Sequence, residues 1–346
     1  MKTLIYIFCG GPSSEFDISL LSAKEILKRI SKKKYDIALF YISPLSTVTI
    51  VKLAETERLS NESIEALFVS IQKKSGVKLS QAFTSVESAL DSISKNPKQE
   101  IFALISPMHG EFGEDGSLQR LLDNRSIPYC GSGRESSKLV WDKLKAAIKV
   151  AVLDNVYIPK TEIITSKTLD SWKSFPAIIK PNKKGSSVGV FIINSATEIS
   201  LPENQDYLIQ EFIQSIEVSA GALQRSDGSF VLIPPIEIIP RTSDFFDYKS
   251  KYEPGESLET TPPKNIDTKL SHEISQLACD IHNILGCRVY SRSDFIVRGN
   301  NIYYLETNTL PGFTSNSLFP KEARAANISF EELIEFIIIE SLPDKK

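Results

Sequence analysis

The stretch SRSDFIVRGNNIYYLETN, residues 291–308, decides the fold assignment. Two largely apolar runs, SRSDFIV and IYYLETN, flank the turn residues RGNN, so the stretch predicts a β-hairpin. A three-residue connection, GNN, would pair Asp294 with Glu306 and Arg292 with Asn308 across the sheet. All four side chains would then share one face, whereas a two-residue turn would shift the register and scatter them. We therefore expect the three-residue connection.

Oxygen-bearing side chains at the end of this hairpin predict a metal site. Glu306 and Asn308 are two residues apart, so they project from one face of their strand. Together with Asp294 they form a set of hard oxygen donors of the kind that Mg²⁺ binds. A polar sheet end followed by turn residues is the plainer interpretation. However, acids this close repel one another, and without a cation they would be costly to keep. We favour the metal site.

Length and composition limit the class of protein. The chain has 346 residues, is 41% hydrophobic and 24% charged, and carries a formal net charge of −3. This size suits two or three lobes of a soluble protein, and the charge excludes a basic nucleic-acid surface. The four cysteines have no CxxC spacing, which disfavours disulfides and zinc and fits a reducing cytoplasm. No apolar run reaches membrane-spanning length, and the initial TLIYIF is typical of a first strand rather than a signal peptide.

Strand and helix patterns divide the chain into three parts. The first ~135 residues alternate strands such as TLIYIF, YDIALFYI and IFALISP with helical segments, which predicts a parallel sheet with helices on both faces. Within them, residues ~55–98 are Ser- and Lys-rich and show no clear pattern. The segment FPAIIKPNKKGSSVGVFII predicts two strands joined by a loop, and the last helix opens with a capping box, Ser329 and Glu332. We expect three domains, at residues 1–137, 138–227 and 228–346.

The loop in KPNKKGSSVGV, residues 180–190, predicts a phosphate-binding site. Gly185 and Gly189 allow close backbone approach, and the amides and hydroxyls of Ser186 and Ser187 could surround phosphate oxygens while Lys180 adds charge. An exposed hairpin turn with solvated lysines is the alternative. The chain contains no GxxxxGK[ST] motif, and GSGRES lacks the third glycine of a dinucleotide fingerprint, which argues against an oxidoreductase.

Three further loops are candidates for function. DFFDYKSKY, residues 244–252, lies in a polar loop of about twenty residues, a length typical of active-site lids. HGEFGEDG, which begins at His109, follows a strand where open α/β sheets carry ligands. Glu15 follows the first strand and could face the same crevice, or it could simply be a carboxylate at a helix N-terminus.

These motifs occur together in one order, and that order resembles the D-alanine–D-alanine ligases of the ATP-grasp superfamily. The resemblance runs from about Leu4 to the final helix. It rests on GGPSSEFDISL, HGEFGEDGSLQ, IPYCGSG, WDK, KPNKKGSSVGV, FFDYKSKY, RSDF and LETNTLPGFTSNSLFP. It implies an ATP-grasp fold: an N-terminal Rossmann-like domain followed by two α+β lobes. It also implies two substrates, D-alanine and ATP, and two Mg²⁺ or Mn²⁺ ions, with a monovalent cation as a further possibility.

The resemblance implies roles for individual residues. The residues around ATP would be Lys143, Lys180, Ser187, Gln210, Glu211, Phe212, Ile213 and Glu217. The metal ligands would be Asp294, Glu306 and Asn308. The first D-alanine would be held by Glu15, in a hydrogen-bonded set with Ser186 and Tyr252, with His109 near its carboxylate. The second carboxylate would contact Lys251, Ser317 and the Leu318 backbone, and the developing oxyanion would contact Arg292 and the Gly312 amide.

The implied activity is ligation of two D-alanines through a D-alanyl phosphate, for peptidoglycan precursors, by a cytoplasmic homodimer without nucleic-acid or membrane partners. Related ligases that take D-lactate or D-serine second, and a non-catalytic nucleotide-binding protein, are the alternatives. Gln210 stands where the family often has an acid, Arg120 replaces a usual glycine, and the hairpin turn is one residue shorter than in some relatives. None of these departures removes a group that the chemistry requires.

Overall fold

The computed structural model describes residues 2–53, 60–73, 80–95, 100–185, 189–199, 206–240 and 257–342. Within these ranges three β-sheets follow one another along the chain, and each packs against helices through buried apolar side chains. The α/β class is confirmed, as is the order of a Rossmann-like part followed by two α+β lobes. No helix in the described ranges is both long and apolar enough to cross a membrane.

The first sheet joins five strands in the order β4-β3-β2-β1-β5. Its strands are β1 (Leu4–Gly10), β2 (Asp36–Ile42), β3 (Val48–Leu53), β4 (Ser80–Phe83) and β5 (Ile101–Ile105). Its helices are α1 (Phe16–Arg29), α2 (Asn61–Gln72), α3 (Val86–Ser94) and α4 (Ser117–Asp123). β1 is buried throughout because β2 and β5 run parallel on either side of it. Such a strand is expected to be apolar along its whole length.

Two strands correct the expectation of a purely parallel sheet. β3 runs antiparallel to β2, and β4 antiparallel to β3. The Ser-rich region without a recognisable motif supplies β4 together with α2 and α3. Ser60 and Ser85 begin the two helices, since each side chain accepts a hydrogen bond from the N–H three residues later. The serines of this region therefore act as helix caps, the role for which serine is favoured.

The second sheet has the order β6-β9-β7-β8 and is antiparallel throughout. Its strands are β6 (Thr161–Ile163), β7 (Ala177–Pro181), β8 (Phe191–Ile193) and β9 (Tyr207–Glu211). Helices α5 (Arg134–Trp141) and α6 (Lys143–Val150) precede it, and α7 (Ser166–Ser171) follows β6. β7 and β8 are the two strands predicted on either side of the phosphate loop, so that prediction is confirmed.

The third sheet has the order β13-β12-β10-β14-β15, with β11 paired to β10. Its strands are β10 (Ile216–Gln224), β11 (Phe230–Val231), β12 (Ile236–Pro240), β13 (Ser257–Thr260), β14 (Tyr290–Arg298) and β15 (Asn301–Asn308). Because β10 pairs with β12 and β14, the second and third sheets divide between residues 211 and 216. That division comes before the expected limit at residue 227. The domain limits themselves stay predictions.

The closing hairpin pairs as predicted but for a different reason. Arg292 lies opposite Asn308, and Asp294 lies opposite Glu306. The predicted three-residue connection is wrong, because residues 299 and 300 alone join the two strands. A two-residue turn would ordinarily scatter the four side chains. A second feature of the hairpin prevents this.

That feature is a β-bulge on β15. The register passes from Phe295 opposite Tyr304 to Asp294 opposite Glu306, so Leu305 is an extra residue without a partner in the ladder. An extra residue moves the following side chains to the other face. Leu305 and Glu306 therefore both line the same cleft although they are adjacent in sequence. The bulge, rather than the turn, sets the geometry of the predicted metal site.

Three further helices lie within the described residues: α8 (Thr268–Ile284), α9 (Leu318–Ala325) and α10 (Phe330–Ser341). The predicted capping box of Ser329 and Glu332 at the start of α10 is confirmed. α10 packs against the first sheet's core, where the Arg29 guanidinium lies 5.2 Å from the centre of the Phe330 ring. The C-terminal helix thereby fixes the third lobe against the first.

Candidate active site

A cleft opens between the second and third sheets. Its apolar lining residues are Ile178, Val190, Phe212, Ile213, Ile296 and Leu305, and its charged ones are Lys143, Lys180, Lys184, Glu211, Glu217, Asp294 and Glu306. Four of the charged side chains form one cluster, the charged end of the cleft: Lys143 lies 3.5 Å from Glu306, the charge of Glu306 acts on Lys180, and Asp294 lies opposite Glu306. An apolar cleft with a few convergent charged groups is the usual form of a small-molecule site. A nucleotide fits such a lining, since its base is flat and largely apolar and its phosphates are anionic.

The residues predicted to surround ATP lie together. Of the eight, seven fall within the described ranges and all seven line the cleft: Lys143, Lys180, Gln210, Glu211, Phe212, Ile213 and Glu217. Gln210, which departs from the family pattern, is buried and donates from Nε2 to the Thr161 hydroxyl at 2.8 Å. Thr161 lies directly opposite Gln210 in the β6–β9 pair. The neighbouring strand therefore orients this carboxamide.

Two lysines form the cationic end of the cleft. Lys143, the first residue of α6, donates from Nζ to the Lys184 carbonyl in the phosphate loop and lies 3.5 Å from the Glu306 carboxylate. Lys180, at the end of β7, is buried. Burial lowers the pKa of Lys180 to about 8, with a further lowering by the nearby charge of Lys143 and a partial compensation by Glu306. Among the described residues, Glu306 is the anion whose charge acts on Lys180. A phosphate in the cleft would add a second anion beside this buried ammonium.

Two of the predicted metal ligands line this cleft, and the third stands beside them. Asp294 and Glu306 are cross-strand neighbours, and Asn308 follows on the same strand with its amide 3.5 Å from the Asp294 carboxylate. Ser219, opposite Asp294 on β10, donates to Asp294 Oδ1 at 2.7 Å. Two carboxylates and one carboxamide on one face are hard oxygen donors, so the residues present fit a divalent cation.

Arg292 forms a two-point ion pair with Asp294. Its Nε donates to Oδ1 at 2.9 Å and its Nη2 to Oδ2 at 2.8 Å, and both side chains are largely buried. Although burial alone would lower the pKa of Arg292, the charges of Asp294, Glu322 and Glu306 raise it. The guanidinium is therefore a fixed positive charge beside the predicted metal ligands.

The first sheet contributes a separate buried group around His109. Its Nδ1 lies 3.5 Å from Glu114, and the other Glu114 oxygen accepts from the Gly110 N–H at 2.7 Å. Burial alone would lower the pKa of His109, but Glu114 and Glu15 raise it above its ordinary value. Glu15 is buried at the start of α1 without capping the helix through its side chain. Its position is therefore not explained by helix capping.

Gly185 connects this group to the cleft. A side-chain carbon built on Gly185 would lie 3.2 Å from Glu15 Oε2 and 3.6 Å from Glu114 Oε2. Gly185 also lines the cleft beside Lys184. The phosphate loop thus reaches the carboxylates of the first lobe, and a ligand extending past Gly185 would contact residues of both lobes.

The loop before α9 and the first residue of that helix contain Ser317 and Leu318, two of the three residues predicted to contact the second carboxylate. Ser317 accepts from the Thr314 N–H at 3.1 Å, and the two hydroxyls lie 2.9 Å apart. A side-chain carbon on Gly312 would lie 2.9 Å from Ser317 Oγ, so only glycine fits without displacing the serine. Leu318 is buried as the first residue of α9. Four predicted residues lie outside the described ranges: Ser186, Ser187, Lys251 and Tyr252.

Among the residues of the site that were not predicted are Glu114, Ser219 and Leu305. Glu114 holds His109, and its signal was the acid pair in HGEFGEDG. Ser219 holds Asp294 from a strand 75 residues away, so no local pattern could identify it. Leu305 enters the cleft only because of the bulge, which the alternation of a regular strand conceals.

A Rossmann-like sheet followed by two lobes, with lysines and carboxylates meeting in the cleft between the last two sheets, defines an ATP-grasp enzyme. Family models described as the D-ala D-ala ligase N-terminus and C-terminus match residues 4–132 and 145–339. The chain therefore belongs to the D-alanine–D-alanine ligase family.

Individual relatives agree with this assignment. A D-alanine–D-alanine ligase from Carboxydothermus hydrogenoformans is 33% identical over 99% of both chains. The VanG D-Ala:D-Ser ligase from Enterococcus faecalis superposes with a TM-score of 0.80 and 26% identity over 99% of this chain and 100% of that one. A D-alanine–D-alanine ligase from Bacillus anthracis complexed with ATP gives a TM-score of 0.70 and 25% identity, over 99% and 97%.

Proposed function

We propose that this chain joins two D-alanines into D-alanyl-D-alanine while converting ATP to ADP and phosphate, and so supplies peptidoglycan precursors. One observation carries the proposal: the charged end of the cleft and the buried Glu15–His109–Glu114 group meet at Gly185. A protein that only bound a nucleotide would need the first group alone. An enzyme that phosphorylates an amino acid needs both, because the amino acid must lie against the γ-phosphate.

The first step is transfer of the γ-phosphoryl group to the first D-alanine. Glu15 would pair with its ammonium, and His109, whose raised pKa favours the charged ring, would face its carboxylate. A carboxylate oxygen then attacks the γ-phosphorus and ADP leaves, which gives an acyl phosphate. Lys143 and Lys180 would hold the phosphates in line. Two Mg²⁺ or Mn²⁺ ions held by Asp294, Glu306 and Asn308 would neutralise charge on the transferring group.

The second step joins the two amino acids. The amine of the second D-alanine, after losing a proton, attacks the acyl carbon, and phosphate leaves with the bridging oxygen. The two-point contact with Asp294 orients Arg292. Arg292 would face the developing oxyanion, and the Gly312 N–H would be the second donor. Loss of one such donor commonly costs about 3 kcal/mol of transition-state stabilisation. Ser317, held by Thr314, would bind the second carboxylate.

D-serine as the second substrate is the competing activity. The structural similarity to the VanG D-Ala:D-Ser ligase, at a TM-score of 0.80, supports D-serine as the second candidate substrate. The two substrates differ by one hydroxyl, and a pocket that lacks a partner for that hydroxyl discriminates only weakly against it. D-alanine and D-serine are therefore the two candidates for the second amino acid.

A substrate panel tests the proposal. Phosphate release from ATP should depend on D-alanine, and the product should be the D,D-dipeptide by mass spectrometry. L-alanine should give no release above background. D-serine offered together with D-alanine should give less mixed dipeptide than D-alanyl-D-alanine. A preference for the mixed product would support the D-serine activity, and ATP binding without any amino-acid-dependent phosphate release would contradict the ligase assignment. The homodimer and a monovalent-cation requirement stay predictions.

A further inference from the structure

Asn182, in the sequence KPNKKG, lies between Lys180 and the phosphate loop and has no role in the proposed chemistry. The residue is 3% exposed and is not among those that line the cleft. It belongs to β7's loop, yet its partners are at the start of α6, about 40 residues earlier. A buried carboxamide needs hydrogen-bond partners, and these partners indicate what it does.

The Asn182 carboxamide is used as both donor and acceptor. Its Oδ1 accepts from the Leu144 N–H at 3.1 Å, and its Nδ2 donates to Asp142 Oδ1 at 3.0 Å. The Asn182 carbonyl accepts from the Lys143 N–H at 3.3 Å. The first N–H groups of a helix have no partner within that helix. Asn182 therefore caps α6 from another element of the lobe.

Asp142 completes this cap. It precedes α6, and its Oδ1 also accepts from the Lys145 N–H at 3.2 Å. Although burial raises the pKa of Asp142, the hydrogen bonds from Asn182 and Lys145 hold it below its ordinary value, so the carboxylate stays charged. Consecutive N–H groups at the start of α6 are thus bound by Asn182 and Asp142 together.

The cap fixes the two phosphate lysines relative to each other. Lys143 is the first residue of α6, and Lys180 is two residues before Asn182. Without the cap, two side-chain contacts among the described residues would join the start of α6 to the phosphate loop: the ion pair of Lys183 with Asp142 at 3.7 Å, and the bond from Lys143 to the Lys184 carbonyl. The second of these uses the Lys143 ammonium itself, for which a phosphate would compete. The Asn182 cap leaves the ammonium available.

We infer that Asn182 is a positioning residue: by capping α6 with its carboxamide, it holds Lys143 and Lys180 as a pair on one phosphate group. This inference rests on the proposed function for its ligand, ATP, but not on the identity of the amino acids. Misplacing a positioned group by about 1 Å can lower a rate by ~100-fold. The expected effect is therefore large for ATP and small for D-alanine.

The test is kinetic and uses the full-length enzyme. For Asn182→Ala we expect kcat/KM for ATP to fall by ~10- to 100-fold, while KM for each D-alanine stays within about twofold. Asn182→Asp should lower kcat/KM for ATP at least as much. The carboxylate still accepts from the Leu144 N–H, but it cannot donate to Asp142 and repels that second carboxylate.

Two controls separate positioning from stability. Thr165→Ala removes the cap of α7 in the same lobe, where Thr165 accepts from the Thr168 N–H at 3.1 Å, and should leave kcat/KM for ATP unchanged. Asn182→Ala in a Lys143→Ala background should add less than about twofold, because the capping acts through Lys143. If Asn182→Ala does not fold, Asn182→Asp in the wild-type and Lys143→Ala backgrounds gives the same comparison.

Two results would overturn the inference: wild-type kcat/KM in Asn182→Ala, or multiplicative effects of the Asn182 and Lys143 changes. A wild-type enzyme without D-alanine-dependent activity would instead contradict the proposed function. In that case ATP binding measured without amino acid still decides the inference, since Asn182→Ala should raise the Kd for ATP by ~10-fold.

Discussion

Two hairpins face each other across the cleft, and they fix their charged side chains in different ways. β14 and β15 carry the acids Asp294 and Glu306, which are cross-strand neighbours, and Ser219 and Arg292 hold Asp294 within the sheet. β7 and β8 precede and follow the phosphate loop, and their side of the cleft is tied to α6 by Asn182. The anionic side is thus ordered by strand register and the cationic side by a helix cap. This difference indicates which substitutions should act on metal binding and which on ATP.

The largest expected effect comes from the anionic hairpin. Glu306→Gln replaces a charged oxygen ligand by a neutral one, so turnover should fall by at least ~10³-fold while the fold is kept. Phosphate release at ordinary Mg²⁺ measures it. Glu335→Gln on α10, which loses contacts with Lys34 and Tyr35 away from the cleft, is the matched control and should keep its activity. Near-normal turnover in Glu306→Gln would remove Glu306 from the metal site.

The cationic side should respond to pH instead. Lys180, with a pKa of about 8 against an ordinary 10.5, loses its charge as pH rises through 8. We expect kcat/KM for ATP to fall above pH 8 by up to tenfold per unit, because this quantity reports the free enzyme. Lys180→Arg stays charged and should lose this fall. A pH profile identical in the two enzymes would assign the titration to another group.

The lowered pKa of Lys180 affects stability in the opposite direction from ATP use. Between about pH 8 and 10.5 the unfolded chain holds the Lys180 proton while the folded chain has released it. The free energy of unfolding should therefore rise with pH across this window as far as Lys180 contributes. Above pH 8, kcat/KM for ATP should therefore fall while the free energy of unfolding rises. Alkaline unfolding would lower both quantities, so the two explanations can be told apart.

A smaller effect on metal binding is expected from Ser219, which orients Asp294 through a hydrogen bond. Ser219→Ala removes the hydrogen bond to Asp294 but leaves the carboxylate, so the Mg²⁺ concentration for half-maximal activity should rise by ~10-fold. Ser293 is also buried and is next to Asp294 in sequence, but its hydroxyl contacts Thr307, 2.8 Å away. Ser293→Ala should leave the Mg²⁺ dependence unchanged. Equal responses in the two variants would mean that Ser219 does not orient the ligand.

Local sequence patterns predicted the hairpin strands and their cross-strand pairs, but not the bulge that sets the pairing. The strand and turn patterns identified the β14–β15 hairpin, and the spacing of Glu306 and Asn308 placed both on one face. The bulge at Leu305 was missed because a single extra residue leaves the apolar pattern nearly unchanged. The right pairing was thus reached with the wrong turn.

Contacts between distant elements could not be read from local patterns. Asn182 and Asp142 lie 40 residues apart, and Ser219 and Asp294 lie 75 apart, so neither pair has a periodic signal. The antiparallel strands β3 and β4 were missed for another reason: their polar, Ser-rich surroundings resemble loop sequence. β3 takes its structure from pairing with β2, and β4 from pairing with β3, so tertiary context decides both strands.

Formation of an acyl phosphate is the central claim of the mechanism, and isotope transfer tests it most directly. The enzyme would be given D-alanine labelled with ¹⁸O in its carboxylate, together with unlabelled ATP, and the released phosphate would be analysed by mass spectrometry. Because a carboxylate oxygen bridges to phosphorus and leaves with the phosphate, one labelled oxygen should appear in each phosphate. Phosphate without label, released at the same rate as dipeptide forms, would contradict the account.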